Sequence, residues 1–186
     1  MSIIAKHLGQ SGGLIEPFSR ATNKSIQDLK VGESETDICE HLMHIVEWDG
    51  DPPRIVKLNA AEIKTLKSDF SKFRGDIKAS PDTRKKYREK CFLWVITSES
   101  FIIAREKIRN IKRSHDSEYI CHTNLTSAGK AYIGGELFFG EDGIIYVNNF
   151  SDRYGGKKTP PEIWEAAICI MKEMGYQNVF DILNIL

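Results

Sequence analysis

The residues best suited to chemistry lie in the middle of the chain, with His122 in the run HTNL and Glu136 in the run GGELFF. A histidine titrates near neutral pH and can hold a hydroxyl group or transfer a proton. Two glycines directly before a strand glutamate indicate a bulge or a close approach to the backbone. We predict His122 and Glu136 as catalytic residues that act as acid and base or bind a ribose. The structural alternatives are a histidine bonded to a loop and a surface glutamate on an edge strand.

Polar residues around this pair are predicted to bind the substrate. In a strand, alternation would put His122 and Asn124 on one face and Thr123 on the other. The run SDRY lies in a loop between a strand and a helix, where proteins often bind ligands. Arg153 suits a phosphate or carboxylate, and Tyr154 suits stacking on a ligand or a hydrogen bond to it. Tyr154 equally suits a role in anchoring the loop to the core.

Metal and charge patterns restrict the function classes. Cys39, His41 and His44 do not predict a zinc site, because a spacing of three puts the two histidines on opposite faces of a strand. Lysine plus arginine and aspartate plus glutamate number 26 each, which argues against nucleic-acid binding through a basic tail. The stretch 84–113 is nevertheless rich in basic residues and compatible with a nucleic acid or an acidic protein partner.

The chain lacks the sequence signals of membrane insertion and secretion. No apolar run approaches the roughly 18 residues that a membrane-spanning helix needs, and residues 1–6 are too short for a secretory signal. We therefore expect a cytoplasmic protein without a membrane contact. The four cysteines lie at long spacings with no C-x-x-C pair, which indicates reduced thiols. The glycine-rich motifs of P-loop and Rossmann enzymes do not occur.

The elements that would position the candidate residues form an α+β domain. We predict a mostly antiparallel sheet covered by two main amphipathic helices. A length of 186 residues suits a single domain. Within it we distinguish a loop-rich arm at 1–32, a strand-strand-helix unit at 38–85, and a sheet with a C-terminal helix at 91–186.

The predicted strands are ICEHLMHIVEW, RIVKLN, CFLWVI, FIIA, YICHTNL, AYIGGELFF and GIIYVNN. The first two are expected to pair antiparallel, CFLWVI is expected to be central, and CFLWVI with FIIA forms a hairpin. One helix is predicted to begin after Asn59, because Asn59 and Glu62 have the spacing of a capping box, and to end at Gly75. A second helix follows Thr159 as N-cap and ends at Gly175. The tail YQNVFDILNIL is an edge strand or a last short helix.

Several short motifs in residues 91–186 occur together in one order. They are LWVI (93–96), FIIA, HTNL (122–125), GKA (129–131), GGEL (134–137), GIIYVNN (143–149) and SDRY (151–154). This order resembles a module of bacterial effector and toxin proteins and of the C-terminal part of plant IQ-motif calmodulin-binding proteins. Asp152 stands where that pattern usually has glycine. The resemblance implies a bacterial or phage effector-like protein and does not imply a particular reaction.

Two function classes remain open. In the first, the protein is a toxin, effector or defence enzyme of the ADP-ribosyltransferase type, with NAD as substrate and a protein or nucleic acid as acceptor. His122 and Thr123 would hold the nicotinamide ribose, and Glu136 would orient the acceptor or stabilise an oxocarbenium-like state. In the second, it is a non-catalytic immunity, antitoxin or defence component that binds a partner, chiefly a protein. The enzyme requires His122 and Glu136 in one concave pocket, whereas the binding protein requires a flat patch.

Overall fold

A computed structural model describes residues 3–8, 45–46, 55–70, 87–106, 120–127, 129–151, 153–155, 159–176 and 178–182. These residues contain both helices and a β-sheet, as expected of an α+β fold. The strands are β1 (Ile45–Val46), β2 (Phe92–Ile96), β3 (Phe101–Arg105), β4 (Ile133–Phe139), β5 (Ile145–Val147) and β6 (Val179–Asp181). The helices include α1 (Ile3–Leu8), α2 (Ala60–Ser68), α3 (His122–Leu125) and α4 (Pro161–Glu173).

The six strands of the described residues form one sheet in the order β1-β3-β2-β4-β5-β6. The four central strands pair antiparallel, whereas β1 pairs parallel with β3 and β6 pairs parallel with β5. β6 is parallel to β5 because α4 carries the chain back along the sheet between them, as in a β-α-β crossover. The sheet is therefore mixed, antiparallel at its centre and parallel at both edges.

The two predicted hairpins are confirmed. In the first, β2 and β3 pair so that Ile96 lies opposite Phe101. β2 is buried along its whole length between β3 and β4, as expected of the central strand. In the second, β4 and β5 are joined by the GEDG turn, where Gly143 adopts a φ of 78° that most other residues resist.

The predicted antiparallel pair of strands in residues 38–59 is not found among the residues described there, 45–46 and 55–59. Of the first strand the structure describes only Ile45–Val46, which pairs parallel with β3. In RIVKLN, Leu58 forms a single parallel bridge to Gly140, and its N–H donates to the carbonyl of Phe139 at 2.7 Å. Because Asn59 already caps the next helix, this extended segment is too short to continue as a strand.

The caps of the two long helices were partly predictable. At α2, Asn59 and Glu62 form the predicted capping box, with reciprocal bonds of 2.9 and 3.0 Å. At α4, Pro160 takes the N-cap position that the sequence predicts for Thr159, and no side chain caps the helix. Gly175 ends α4 as predicted, at a φ of 101°.

α2 is shorter than predicted. It ends at Ser68, and Asp69 follows in an extended conformation with its N–H donating to Thr65 O at 2.8 Å. Serine and aspartate side chains compete with helical backbone bonds, and the Ser68 hydroxyl indeed donates to Thr65 O at 3.2 Å. The predicted end at Gly75 lies outside the described residues. In the arm at 1–32, predicted to be mostly loop, residues 3–8 form α1.

Helices pack on both faces of the sheet. On one face α1 and α4 share a core with Trp94, Ile103 and Ile133. On the other face α2 shares a core with Leu93 and Phe138. The buried residues of α4 are Ile163, Ala166, Ala167, Ile170 and Met171, whereas Met174 from the predicted stripe is only partly buried. The number of main covering helices and the division into one domain stay predictions.

Candidate functional site

A cleft of about 290 Å³ lies beside the start of β2, the end of β3 and the middle of β4, on the sheet face that also carries α2. Its lining residues are Arg88, Leu93, Glu106, Ile120, Cys121, His122, Glu136, Phe150, Ser151 and Arg153. His122, Glu136 and Arg153, three of the predicted site residues, therefore come together in one concave site.

Two carboxylates lie on either side of β2 in this cleft. Glu136 on β4 is paired with Leu93, and Leu93 is paired with Ala104 on β3. Glu106 follows two residues after Ala104, so alternation puts its side chain on the same face. Strands are about 4.8 Å apart, so the backbones of β3 and β4 are separated by roughly 10 Å. Both glutamates are buried, with Glu106 8% exposed and Glu136 6% exposed.

The Glu136 side chain is held by Asn148 at the end of β5. The Asn148 Nδ2 donates to Glu136 Oε2 at 3.0 Å. Its Oδ1 accepts the backbone N–H of Glu136 at 3.0 Å and that of Phe150 at 2.9 Å. Asn148 is fully buried. The carboxylate is therefore fixed by the backbone of its own strand and by the strand beside it.

The glycines before Glu136 allow two close approaches. A Cβ on Gly135 would overlap the carbonyl of Asn148, and a Cβ on Gly134 would lie 3.3 Å from the His122 ring. The sequence interpretation of this pair as a place of close approach agrees with the structure. The groups that approach are a neighbouring backbone and the candidate histidine.

His122 lies on a helix and not on the predicted strand. The run HTNL forms α3, because the N–H of Cys121 donates to Asn124 Oδ1 at 2.8 Å and closes a turn. His122 Nε2 lies 2.8 Å from the Gly135 carbonyl. A carbonyl oxygen only accepts hydrogen bonds, so His122 Nε2 carries a proton in this contact. The predicted sharing of one strand face by His122 and Asn124 is therefore wrong.

The other predicted substrate-binding residues do not line the cleft. Thr123 is fully buried, with its Oγ1 3.1 Å from Cys121 Sγ, and Asn124 caps α3. The Tyr154 hydroxyl donates to Gly129 O at 2.6 Å and lies 2.7 Å from the Thr126 hydroxyl. These contacts are structural, and for Tyr154 they match the loop-anchoring alternative.

Two arginines reach the cleft from different segments. Arg153 follows Ser151, whose Oγ accepts the N–H of Arg153 at 3.3 Å and that of Tyr154 at 3.0 Å and so orders the loop. Arg88 lies in the helical residues 87–90 before β2, and its Nε is 3.2 Å from Glu106 Oε1. Asp152 lies outside the described residues.

Two protonated groups lie close to the carboxylates. Burial raises the pKa of the Tyr87 hydroxyl well above its usual range, and the charge of Glu136 raises it further. Burial also raises the pKa of the Cys91 thiol, with additional effects of Glu106 and then Glu136. Tyr87 and Cys91 are therefore neutral at physiological pH. Because the charges of Glu106 and Glu136 raise the pKa values of both the Tyr87 hydroxyl and the Cys91 thiol, the two carboxylates belong to one buried electrostatic cluster.

The basic stretch 84–113 is described only over residues 87–106. There Lys90 Nζ lies 2.6 Å from Glu62 Oε2, and Arg88 pairs with Glu106. These two side chains contact acidic groups of the protein itself. The basic residues of the stretch before 87 and after 106, and the group Cys39, His41 and His44, lie outside the described residues.

No group of three or more metal-ligating side chains is arranged to hold a metal ion in the part of the chain that the structure describes. Among those same residues, none of the helices has the length and apolar character needed to cross a membrane.

Arg88, Glu106, Cys121 and Ser151 line the cleft but were not predicted as site residues. Glu106 could have been found by extending the alternation of FIIA two residues beyond Ala104. Nothing in the local sequence of Arg88 indicates that the residues before β2 turn toward the cleft. Comparison of the chain with protein-family models, with curated proteins and with solved structures found no match.

Proposed function

We propose that the cleft is the active site of an enzyme of the ADP-ribosyltransferase type that uses NAD as its substrate. One observation carries the proposal: His122, Glu136 and Arg153, from three separate segments, line the same concave cleft. A non-catalytic binding protein would be expected to present a flat patch instead.

The charges of the cleft suit the parts of NAD. Arg153 is a cation whose planar group binds phosphate oxygens well. Glu106 and Glu136 are acceptors for ribose hydroxyl groups and favour positive charge that develops on a sugar ring. A volume of about 290 Å³ is near the lower end for ligand pockets and suits one half of a dinucleotide. The nicotinamide ribose would lie inside, and the pyrophosphate would lie at Arg153.

The reaction exchanges one bond at the ribose C1′ carbon. The bond from C1′ to the nicotinamide nitrogen breaks, and its electron pair leaves with neutral nicotinamide. A lone pair of the acceptor forms the new bond to C1′, and the acceptor proton passes to Glu136. His122 would form a hydrogen bond with a ribose hydroxyl. Thr123, Asn124 and Tyr154 take no part in this scheme, because they do not line the cleft.

The motif order in residues 91–186 supports a toxin, effector or defence role in a bacterium or phage. The acceptor would then be a cytoplasmic protein or nucleic acid. Arg88 and Lys90, at the described start of the basic stretch, pair with acidic groups of the protein itself. This pairing leaves them less suited to a nucleic-acid backbone, so a protein acceptor is favoured.

The test measures nicotinamide release from NAD by the purified protein. We expect Glu136→Gln to lower kcat by roughly 100-fold or more and Arg153→Ala to raise KM. The matched control is Glu165→Gln, which changes an exposed glutamate of α4 outside the cleft. If the wild type neither binds NAD nor releases nicotinamide, the proposal is wrong, and capture of a protein partner becomes the informative experiment.

A further inference from the structure

We propose that Asn148 is a positioning residue that fixes the direction of the Glu136 carboxylate. The catalytic consequence rests on the proposed function, whereas the pairing of the two side chains is testable without NAD.

Asn148 makes four hydrogen bonds, three of them with Glu136. Its Oδ1 accepts the backbone N–H groups of Glu136 and Phe150, at 3.0 and 2.9 Å. Its Nδ2 donates to Glu136 Oε2 at 3.0 Å, and its backbone N–H donates to Glu136 O at 3.1 Å. The side chain is fully buried, so water does not compete for these bonds.

The orientation of the Asn148 amide is determined by these contacts. Its oxygen faces two backbone N–H donors, which a rotated NH₂ group could not satisfy. The NH₂ group must therefore face the Glu136 carboxylate.

The same amide also connects Glu136 to the loop that carries Arg153. Asn148 Oδ1 accepts the backbone N–H of Phe150. Phe150 begins the segment from which Phe150, Ser151 and Arg153 line the cleft. One side chain thus sets the carboxylate and the start of the arginine loop relative to each other.

Exchanging the amide at position 148 and the carboxylate at position 136 tests whether the two side chains are coupled. Asn148→Asp keeps the oxygen that faces the two N–H groups but puts a second carboxylate oxygen against Glu136 Oε2. We expect the thermal midpoint of unfolding at pH 7 to fall by roughly 5 °C or more. Adding Glu136→Gln places an amide opposite the new carboxylate at position 148, with donor and acceptor exchanged. The second substitution should recover about half of that loss or more.

The adjacent buried Asn149 provides the control, because alternation points its side chain to the other face. Glu136→Gln should not recover the loss caused by Asn149→Asp. If the swapped protein is no more stable than Asn148→Asp alone, the two side chains are not coupled and the proposal is overturned. If Asn148→Asp does not fold, recovery of a folded protein in the swap decides the same question.

Activity separates a positioning role from a purely structural one. The swapped protein should remain roughly 100-fold or more below the wild type in nicotinamide release, because its carboxylate is at position 148 and not at 136. Recovery of both stability and activity would overturn the positioning role. If the wild-type protein releases no nicotinamide, only the proposed function is overturned, because the stability measurements still test the pairing of Asn148 with Glu136.

Discussion

Among the glycines near the site, Gly135 has the closest neighbouring atoms. A Cβ there would overlap the Asn148 carbonyl and lie 2.8 Å from a Trp94 ring carbon. We predict that Gly135→Ala lowers the free energy of unfolding by about 1–3 kcal/mol, because neither neighbour can move without disturbing the sheet. Urea unfolding measures the change.

A second glycine provides the comparison for this prediction. Gly143 has open space around it but a positive φ of 78°. Asparagine tolerates that conformation, so Gly143→Asn should cost much less than Gly135→Ala. Equal losses of unfolding free energy in Gly135→Ala and Gly143→Asn would contradict the explanation that steric overlap destabilises the Gly135→Ala protein. The sequence indicated the close approach at Gly135, but it could not identify Asn148 as the group that approaches, because the two residues meet only when β4 and β5 pair.

The raised pKa of the buried Cys91 thiol leads us to predict a loss of stability at alkaline pH. Its pKa is raised in the folded protein by burial first, so the folded state keeps the thiol proton while the unfolded chain releases it. The contribution is complete below the unfolded thiol pKa of about 8.5 and is lost as pH rises above it. We expect the free energy of unfolding to fall between pH 8 and 10 by up to about 1.4 kcal/mol per pH unit from this group.

The contribution of Cys91 to this decline in unfolding free energy can be isolated by substituting the cysteine. Cys91→Ala should be less stable than the wild type at pH 7, because it leaves a cavity, yet its stability should decline less steeply between pH 8 and 10. Cys169→Ser, at an exposed position on α4, should keep the wild-type slope. A Cys91→Ala protein with that same slope would show that another group causes the decline.

At the scale of elements, a side-chain contact closes the turn of α3. Asn124 Oδ1 accepts the Cys121 N–H at 2.8 Å, and the turn that it closes carries His122. We predict that Asn124→Ala costs about 1 kcal/mol and increases hydrogen exchange at the Cys121 amide. Asn124→Asp keeps an acceptor oxygen and should cost less. Unchanged protection of that amide in the alanine variant would contradict this role.

α3 also shows why some elements could not be predicted. Its four residues follow Tyr119, Ile120 and Cys121 with an alternating pattern that is typical of a strand. The competing interactions are the Asn124 cap and the bond from His122 to Gly135 O, and the second joins residues 13 positions apart. Longer elements were better predicted. β2, β3 and α4 each carry an apolar pattern that spans the whole element, so no single contact decides their conformation.

At the scale of the whole molecule, the α+β class followed from the order of apolar segments, but the cleft did not. Its lining comes from residues 88–106, 120–136 and 150–153, which meet only in the folded sheet. His122 and Arg153 were identified by residue type. Alternation gives the sheet face of Glu106, but its place across β2 from Glu136 depends on the register of β3 and β4 with β2. The position of Arg88 depends on the helical residues before β2. Such a site exists only in the folded chain.

Because the unfolded chain has no cleft, a ligand of the cleft must stabilise the folded protein by mass action. If NAD is that ligand, a concentration of about 100 times Kd should raise the free energy of unfolding by about 2.7 kcal/mol. Arg153→Ala should lose most of this gain, since the arginine would contact the pyrophosphate, whereas Glu165→Gln should retain it. Urea unfolding with and without NAD measures both. An equal gain in the two variants would mean that NAD binds elsewhere, and no gain in the wild type would mean that the cleft accepts a different ligand.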